Sequence, residues 1–223
     1  MKNVLFVCTG NTCRSPMAEA IFLAKRPDDS YQVRSAGVHA TDGIPMSEGA
    51  RQALARHNLM ESHQSEVLTE EMLRWSDVIL TMTDSHKQAV VEQFPDRAAQ
   101  VYTLKEYVTD DVESQAKMEE LKAHLAEIEM KKAQFVAQNQ NKVDKYNEDE
   151  PIGNQQQLEE ALLKEVEPHQ RAVDRLEWDL PSMDIRDPFG GDESIYEATY
   201  QEIEEAVDQL IAKLESWNYR NQG

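Results

Sequence analysis

The chain has 223 residues, enough for one ordinary domain or for one domain carrying an insertion. Its 42 acidic side chains against 23 basic ones give a formal net charge of −19, which argues against nucleic acid or an anionic membrane surface as a partner. A mean hydropathy of −0.68, with no apolar run of spanning length, argues against a transmembrane helix.

In chain order, Val4-Leu5-Phe6-Val7 opens the pattern as a buried strand over 3–7, apolar on both faces and free of breakers. It is too short for a secretory signal. Directly after it comes Cys8-Thr9-Gly10-Asn11-Thr12-Cys13-Arg14-Ser15, a cysteine and an arginine separated by five residues. Ser15-Pro16 then starts a helix over about 15–25, with proline in the first turn. The loop thus brings backbone N–H groups to a helix N-terminus, where an anion is stabilised. Arg14 adds a planar, two-pronged donor suited to a phosphoryl group. Cys8 lies in the same field, so the loop reads as a phosphate cradle holding a sulfur nucleophile at its target.

Further strands are predicted around 31–35, at 77–82 and around 99–103, and helices at about 47–57, 69–74, 84–93 and 194–216. The alternation describes an α/β domain. In the last helix Ile195, Thr199, Ile203, Ala206, Leu210 and Leu214 share one face. The two cysteines, Cys8 and Cys13, both lie in the loop, so no disulfide framework is expected and a reducing, cytoplasmic location is. The six histidines are scattered without zinc-type spacing, so neither a metal nor another cofactor is expected. Cys13 has two readings: a small residue inside the loop, or a trap that captures oxidised Cys8 as a reversible disulfide.

Between Val108 and Asp184 lies an acidic stretch with two apolar stripes. Met118, Leu121, Leu125, Ile128 and Phe135 recur at three- and four-residue steps, with Lys132 in the missing place; Leu158, Leu162, Val166, Val173 and Leu176 form the second stripe. Asn147 to Asn154 between them is turn-rich. The pattern predicts an antiparallel helical hairpin over 110–181. Its first helix, about 114–146, would reach roughly 50 Å at 1.5 Å per residue. The catalytic domain is then 1–109 with 182–223. The hairpin is open to packing on itself, on a second copy or on a substrate protein.

Taken together, Val4 to Ala20, Arg34-Ser35-Ala36-Gly37-Val38, Asp77 to Met82 and Asp187-Pro188-Phe189-Gly190-Gly191 resemble segments of the low-molecular-weight protein tyrosine phosphatases. The resemblance covers about 1–109 and 182–216. It implies a four-stranded parallel sheet flanked by helices and a phosphocysteine intermediate. By the same resemblance Cys8 is the nucleophile, Arg14 the phosphate clamp, and Ser15 the hydroxyl that hydrogen-bonds the sulfur. Asn11 holds the cradle in shape with Ser35 and His63. Asp187 is the general acid. The chemistry needs one, because the leaving group departs badly as an anion and a positioned carboxylic acid must protonate it. Relatives join the last strand to the acid loop by a short connection, so 110–181 is an insertion.

Phosphotyrosine enzymes of the family usually carry a bulky aliphatic residue at the place of Thr12 and tyrosines after the Asp-Pro. Thr12 with Phe189-Gly190 instead resembles the bacterial protein-arginine-phosphatase branch, where a small polar wall admits a guanidinium. The expected activity is therefore dephosphorylation of phosphoarginine in proteins, releasing inorganic phosphate, with phosphotyrosine as the alternative. Intact Cys8, Arg14 and Asp187 leave little room for a non-catalytic scaffold. The insertion is a candidate for self-association or protein contact.

Overall fold

A computed structural model describes residues 2–59, 62–140 and 152–220. Strands β1 (Asn3–Cys8), β2 (Gln32–Gly37), β3 (Val78–Thr81) and β4 (Val101–Thr103) form one four-stranded sheet in the order β2-β1-β3-β4. All three pairings are parallel, with Phe6 opposite both Ser35 and Leu80, and Cys8 opposite Gly37. The helices of this part are α1 (Arg14–Lys25), α2 (Glu48–Arg56), α3 (Glu70–Trp75), α4 (Asp84–Gln93) and α5 (Leu104–Val108). Next along the chain come α6 (Val112–Gln138), α7 (Ile152–Asp179) and α8 (Glu193–Arg220).

The central strand shows why the sequence chooses this arrangement. Val4, Leu5, Phe6 and Val7 are all fully buried, and a strand sends alternate side chains to opposite faces. Val4 and Phe6 join Met17, Phe22, Leu54, Tyr200, Ile203 and Leu210, the layer of α1, α2 and α8. Leu5 and Val7 join Leu68, Met72, Leu73 and Val90, the layer of α3 and α4. A strand covered on both faces must be apolar throughout, which is how β1 reads. Because β1 connects to β2 on one side while β3 connects to β4 on the other, the strand order reverses at β1/β3. In open α/β sheets the carboxyl ends of strands at such a point form a crevice.

The helix starts are set by side-chain caps. Ser47, Thr69 and Thr83 each accept a hydrogen bond from the backbone N–H three residues on, opening α2, α3 and α4. Two elements were not foreseen from sequence. Pro95–Gln100 is a 3₁₀ turn, which delays β4 to Val101, and Thr103 caps the short helix α5 by accepting from Glu106 N at 3.1 Å. The apolar face of α8 lies as its periodicity implies: Thr199, Ile203, Ala206, Leu210 and Leu214 are buried.

By packing, the chain divides into two compact units, Met1–Val108 with Met183–Gly223, and Thr109–Ser182. In the second unit α6 and α7 lie against each other and antiparallel, since Glu120 pairs with Arg175 while His124 meets His169. The helices therefore pack on themselves. Met118, Ile128 and Phe135 of α6 and Val173 and Leu176 of α7 are buried in the seam, with Leu121, Leu158, Leu162 and Val166 half-buried. Three sequence expectations need correction here. Leu125 is 44% exposed and His124 takes its seam place. The first helix is interrupted after Gln138 by Asn139, whose side-chain amide and backbone N–H both donate to Phe135 O at 3.0 Å, and 141–146 of its predicted span lies outside the described residues. The predicted turn 147–154 is helical from Ile152 onward, while 147–151 lies outside the described residues.

Candidate active site

The loop from Cys8 to Cys13 leaves the carboxyl end of β1 and runs into α1 at Arg14. The one residue in it with left-handed backbone is Asn11, at φ 54°, not Gly10. Asparagine tolerates that region better than most residues, and the strain is held by its side chain. Asn11 Nδ2 donates to Ser15 Oγ at 2.9 Å and to Ser35 Oγ at 2.8 Å. Its Oδ1 accepts from Glu66 N at 2.8 Å, and His63 Nε2 lies 2.9 Å from its carbonyl oxygen. Ser35 in turn donates to the Glu19 carboxylate. The sequence-expected trio Asn11, Ser35 and His63 is thus together, with Glu19 and Glu66 added.

From the sheet side, Val38 N and His39 N donate to Cys8 O and Thr9 O, both at 2.9 Å. This approach requires Gly37: a Cβ there would stand 2.6 Å from Thr9 O and 2.9 Å from Asn11 N.

Cys8 is 3% exposed, and its sulfur has two polar neighbours: Ser15 Oγ at 3.0 Å and Asn11 N, which donates at 3.3 Å. An ionised sulfur would accept from both. Cys13 faces elsewhere. Its thiol donates to Ser47 Oγ at 3.1 Å and lies 3.8 Å from Tyr196 Oη, while Ser47 N donates to Thr12 O at 2.8 Å. Both cysteines are free thiols. Thr12, the expected wall residue, is half-buried.

Arg14 is buried, and its guanidinium donates to Asp187 Oδ2 at 2.9 Å and to Ile185 O at 3.4 Å. The loop that carries Asp187 is anchored just before it: Ile185 N donates to Met82 O at 2.7 Å, and Arg186 N donates to Glu202 Oε2 at 3.1 Å. Beyond that anchor it opens to solvent. The Asp187 side chain is 54% exposed, and Asp187 Oδ1 accepts from Phe189 N at 3.2 Å. Phe189 itself is 81% exposed, so the ring expected as a pocket wall projects outward.

One neighbour escaped the sequence reading. His86, in the first turn of α4, is 6% exposed, with Nε2 2.7 Å from Thr9 Oγ1 and Nδ1 2.8 Å from Thr83 Oγ1. Burial first, and the Arg14 guanidinium second, push its pKa from 6.5 to about 4. No local sequence signal points to this position, since Thr9 lies 77 residues away in the chain. Among the described residues no three His, Cys, Asp or Glu side chains gather as metal ligands, and no helix is long and apolar enough to cross a membrane.

A buried cysteine in a loop at a helix N-terminus, a buried arginine at the end of that loop and a carboxylate bonded to the arginine are the parts a cysteine-dependent phosphatase needs. The chain belongs to the low molecular weight phosphotyrosine protein phosphatase family, whose sequence pattern matches residues 3–145 and 148–218. It is similar to a protein-arginine-phosphatase of Bacillus subtilis (strain 168), 47% identical over 109 residues, which are 48% of this chain and 73% of that protein. It is also similar to the low molecular weight protein-tyrosine-phosphatase PtpB of Staphylococcus haemolyticus (strain JCSC1435), 44% identical over 105 residues, 47% of this chain and 73% of the relative. Among solved structures, YwlE arginine phosphatase from Geobacillus stearothermophilus superimposes with a TM-score of 0.65 at 27% identity, covering 99% of this chain and 97% of that one.

Proposed function

We propose that the chain removes the phosphoryl group from phosphoarginine in proteins through a phosphocysteine at Cys8. Cys8 Sγ, as thiolate, attacks phosphorus while Arg14 and the loop N–H groups hold the phosphoryl oxygens. The P–N bond breaks, and Asp187 gives its proton to the departing guanidino nitrogen. Asp187, now a carboxylate, takes a proton from water as the water oxygen attacks phosphorus. The S–P bond breaks, the thiolate returns to Ser15 and Asn11, and inorganic phosphate leaves. The observation that carries the reading is the Cys8 sulfur 3.0 Å from Ser15 Oγ and 3.3 Å from Asn11 N, in the loop whose Arg14 reaches Asp187 at 2.9 Å.

The choice of phosphoarginine rests on Thr12, a small polar wall, and on the relatives named for that activity. Phosphotyrosine is the second reading, favoured by the exposed Phe189 ring, which can pack on another aromatic ring, and by the PtpB relative. Thr12→Ile decides between them. Replacing the hydroxyl by apolar bulk should move the ratio of kcat/KM on matched phosphoarginine and phosphotyrosine peptides toward phosphotyrosine. The shift should be about 5- to 100-fold, the worth of one hydrogen bond with a buried or charged partner. An unmoved ratio removes Thr12 as the selecting residue, and a wild-type preference for phosphotyrosine removes the phosphoarginine reading.

The two antiparallel helices of Thr109–Ser182 bury a seam of their own, and we infer that they are an insertion separable from the chemistry. Replacing 112–181 by a short Gly/Ser connection should leave a folded enzyme that hydrolyses an aryl phosphate at a rate near wild type. An unfolded or inactive product would make the segment part of the catalytic core.

A further inference from the structure

His86 takes no part in the steps above, yet it touches the first residue after the nucleophile. Its ring is buried between two hydroxyls, Thr9 Oγ1 on Nε2 and Thr83 Oγ1 on Nδ1, so both nitrogens are engaged. Thr83 Oγ1 also receives the His86 backbone N–H at 3.3 Å and lies 2.8 Å from Ser85 Oγ. A neutral imidazole has one donor and one acceptor, so the two contacts must run in opposite senses. The sense is set by charge. The loop on the Nε2 side holds an anion at each stage of turnover, sulfur or phosphoryl, and an N–H aimed toward it is the favoured tautomer. Thr83 then donates to Nδ1, and Thr9 Oγ1 accepts from Nε2–H.

Resting on the phosphocysteine reading, we propose that His86 is a positioning residue of the phosphate loop, whose Nε2–H fixes the Thr9 hydroxyl so that the Thr9 proton is left as a donor to the phosphoryl group. The charged and titratable groups around the ring are Arg14 from α1, Asp184 and Asp187 from the acid loop, and His39 after β2. Arg14 and His39 oppose an imidazolium; the two aspartates favour one. Burial and Arg14 prevail, so the ring stays neutral, the form in which one nitrogen accepts. A buried imidazole needs a partner for each nitrogen whatever its role, so the contact that bears on positioning is the one that crosses to the loop, Nε2 to Thr9 Oγ1 at 2.7 Å.

A double-mutant cycle on the full chain separates positioning from packing. His86→Leu and Thr9→Val should each lower kcat on an aryl phosphate and weaken inhibition by inorganic phosphate by about 3- to 10-fold, the worth of one net hydrogen bond. Acting through one contact, the pair together should be no worse than either alone. His86→Gln, whose amide nitrogen replaces Nε2–H, should stay close to wild type. Multiplying losses, an inert Thr9→Val, or a folded His86→Gln as impaired as His86→Leu would overturn the proposal. Nitrogen NMR of the wild type must show the proton on Nε2 at neutral pH; a proton on Nδ1 would overturn it even if His86→Leu does not fold. The tautomer is read without turnover, so a failure of the Cys8 mechanism, seen as an active Cys8→Ser variant, is distinguished from a failure of the His86 proposal.

Discussion

Cys8→Ser should abolish turnover, with kcat lower by roughly 10⁴- to 10⁶-fold as for other removed nucleophiles, while the fold and phosphate binding persist. The reason is chemical. A serine hydroxyl at the same place keeps the contacts from Ser15 and Asn11 but is almost wholly un-ionised at neutral pH. Its size is close to that of the thiol, and the cradle is shaped by contacts among Asn11, Ser35, His63 and Gly37 that do not run through the sulfur. The measurements are single-turnover rate on an aryl phosphate and a binding isotherm for phosphate. Full activity in the variant would remove the phosphocysteine mechanism.

The next largest effect is expected at Asp187. Asp187→Ala should slow kcat by about 10²- to 10⁴-fold where the leaving group is poor, as for phosphoarginine, and much less for an activated aryl phosphate. The carboxyl group is needed only to the extent that the leaving atom cannot carry negative charge alone. Placement supports the role: Ile185 and Arg186 are tied to the core through Met82 and Glu202, so Asp187 is presented at a fixed height while its side chain stays 54% exposed. A plot of log kcat against leaving-group pKa should be steep for the variant and shallow for wild type. Equal slopes would assign the proton transfer elsewhere.

Much of this was legible in sequence because it depends on local signals. The strand before Cys8, the helix after Arg14 and the face of α8 follow from periodicity and breakers, which sequence carries directly. The geometry around Asn11 was legible only through family resemblance, since Ser35 and His63 are distant in the chain and no local rule links them. His86 was not legible at all. Its importance arises because β3 lies beside β1, which brings Thr83 and Thr9 to opposite sides of one ring. The hairpin seam shows a different limit. Leu125 and His124 are adjacent and either satisfies a three- or four-residue step, so hydrophobicity chose the leucine. Packing of α6 on α7 set the histidine inside, against His169. The 3₁₀ turn at Pro95–Gln100 was hidden because it buries no side chain and so shows no apolar pattern, and α5 because it follows β4 with no breaker between them.

His86 also adds an acid limb to stability. Its pKa is about 4 when folded against 6.5 as the ordinary value, so between those values the unfolded chain holds a proton that the folded chain does not. The contribution is fully present above pH 6.5 and is lost progressively as pH falls to about 4.

The contact of Arg14 with Asp187 has a consequence for how the enzyme resets. On the proposed mechanism Arg14 receives the phosphoryl group, yet its guanidinium is already bound by a carboxylate of the same chain. Asp187 is therefore a tethered competitor, present at a high effective concentration because a few residues of loop hold it within reach. On the proposed mechanism substrate has to displace it, which would release the carboxyl group on the side of the leaving atom. After hydrolysis the order would reverse: once Asp187 has released the proton it took from water, its carboxylate can return to Arg14 and compete with the inorganic phosphate held there. The same exchange would thus free the carboxylate to take up a proton on arrival and help clear the product on departure, at the cost of weaker binding to every small oxyanion.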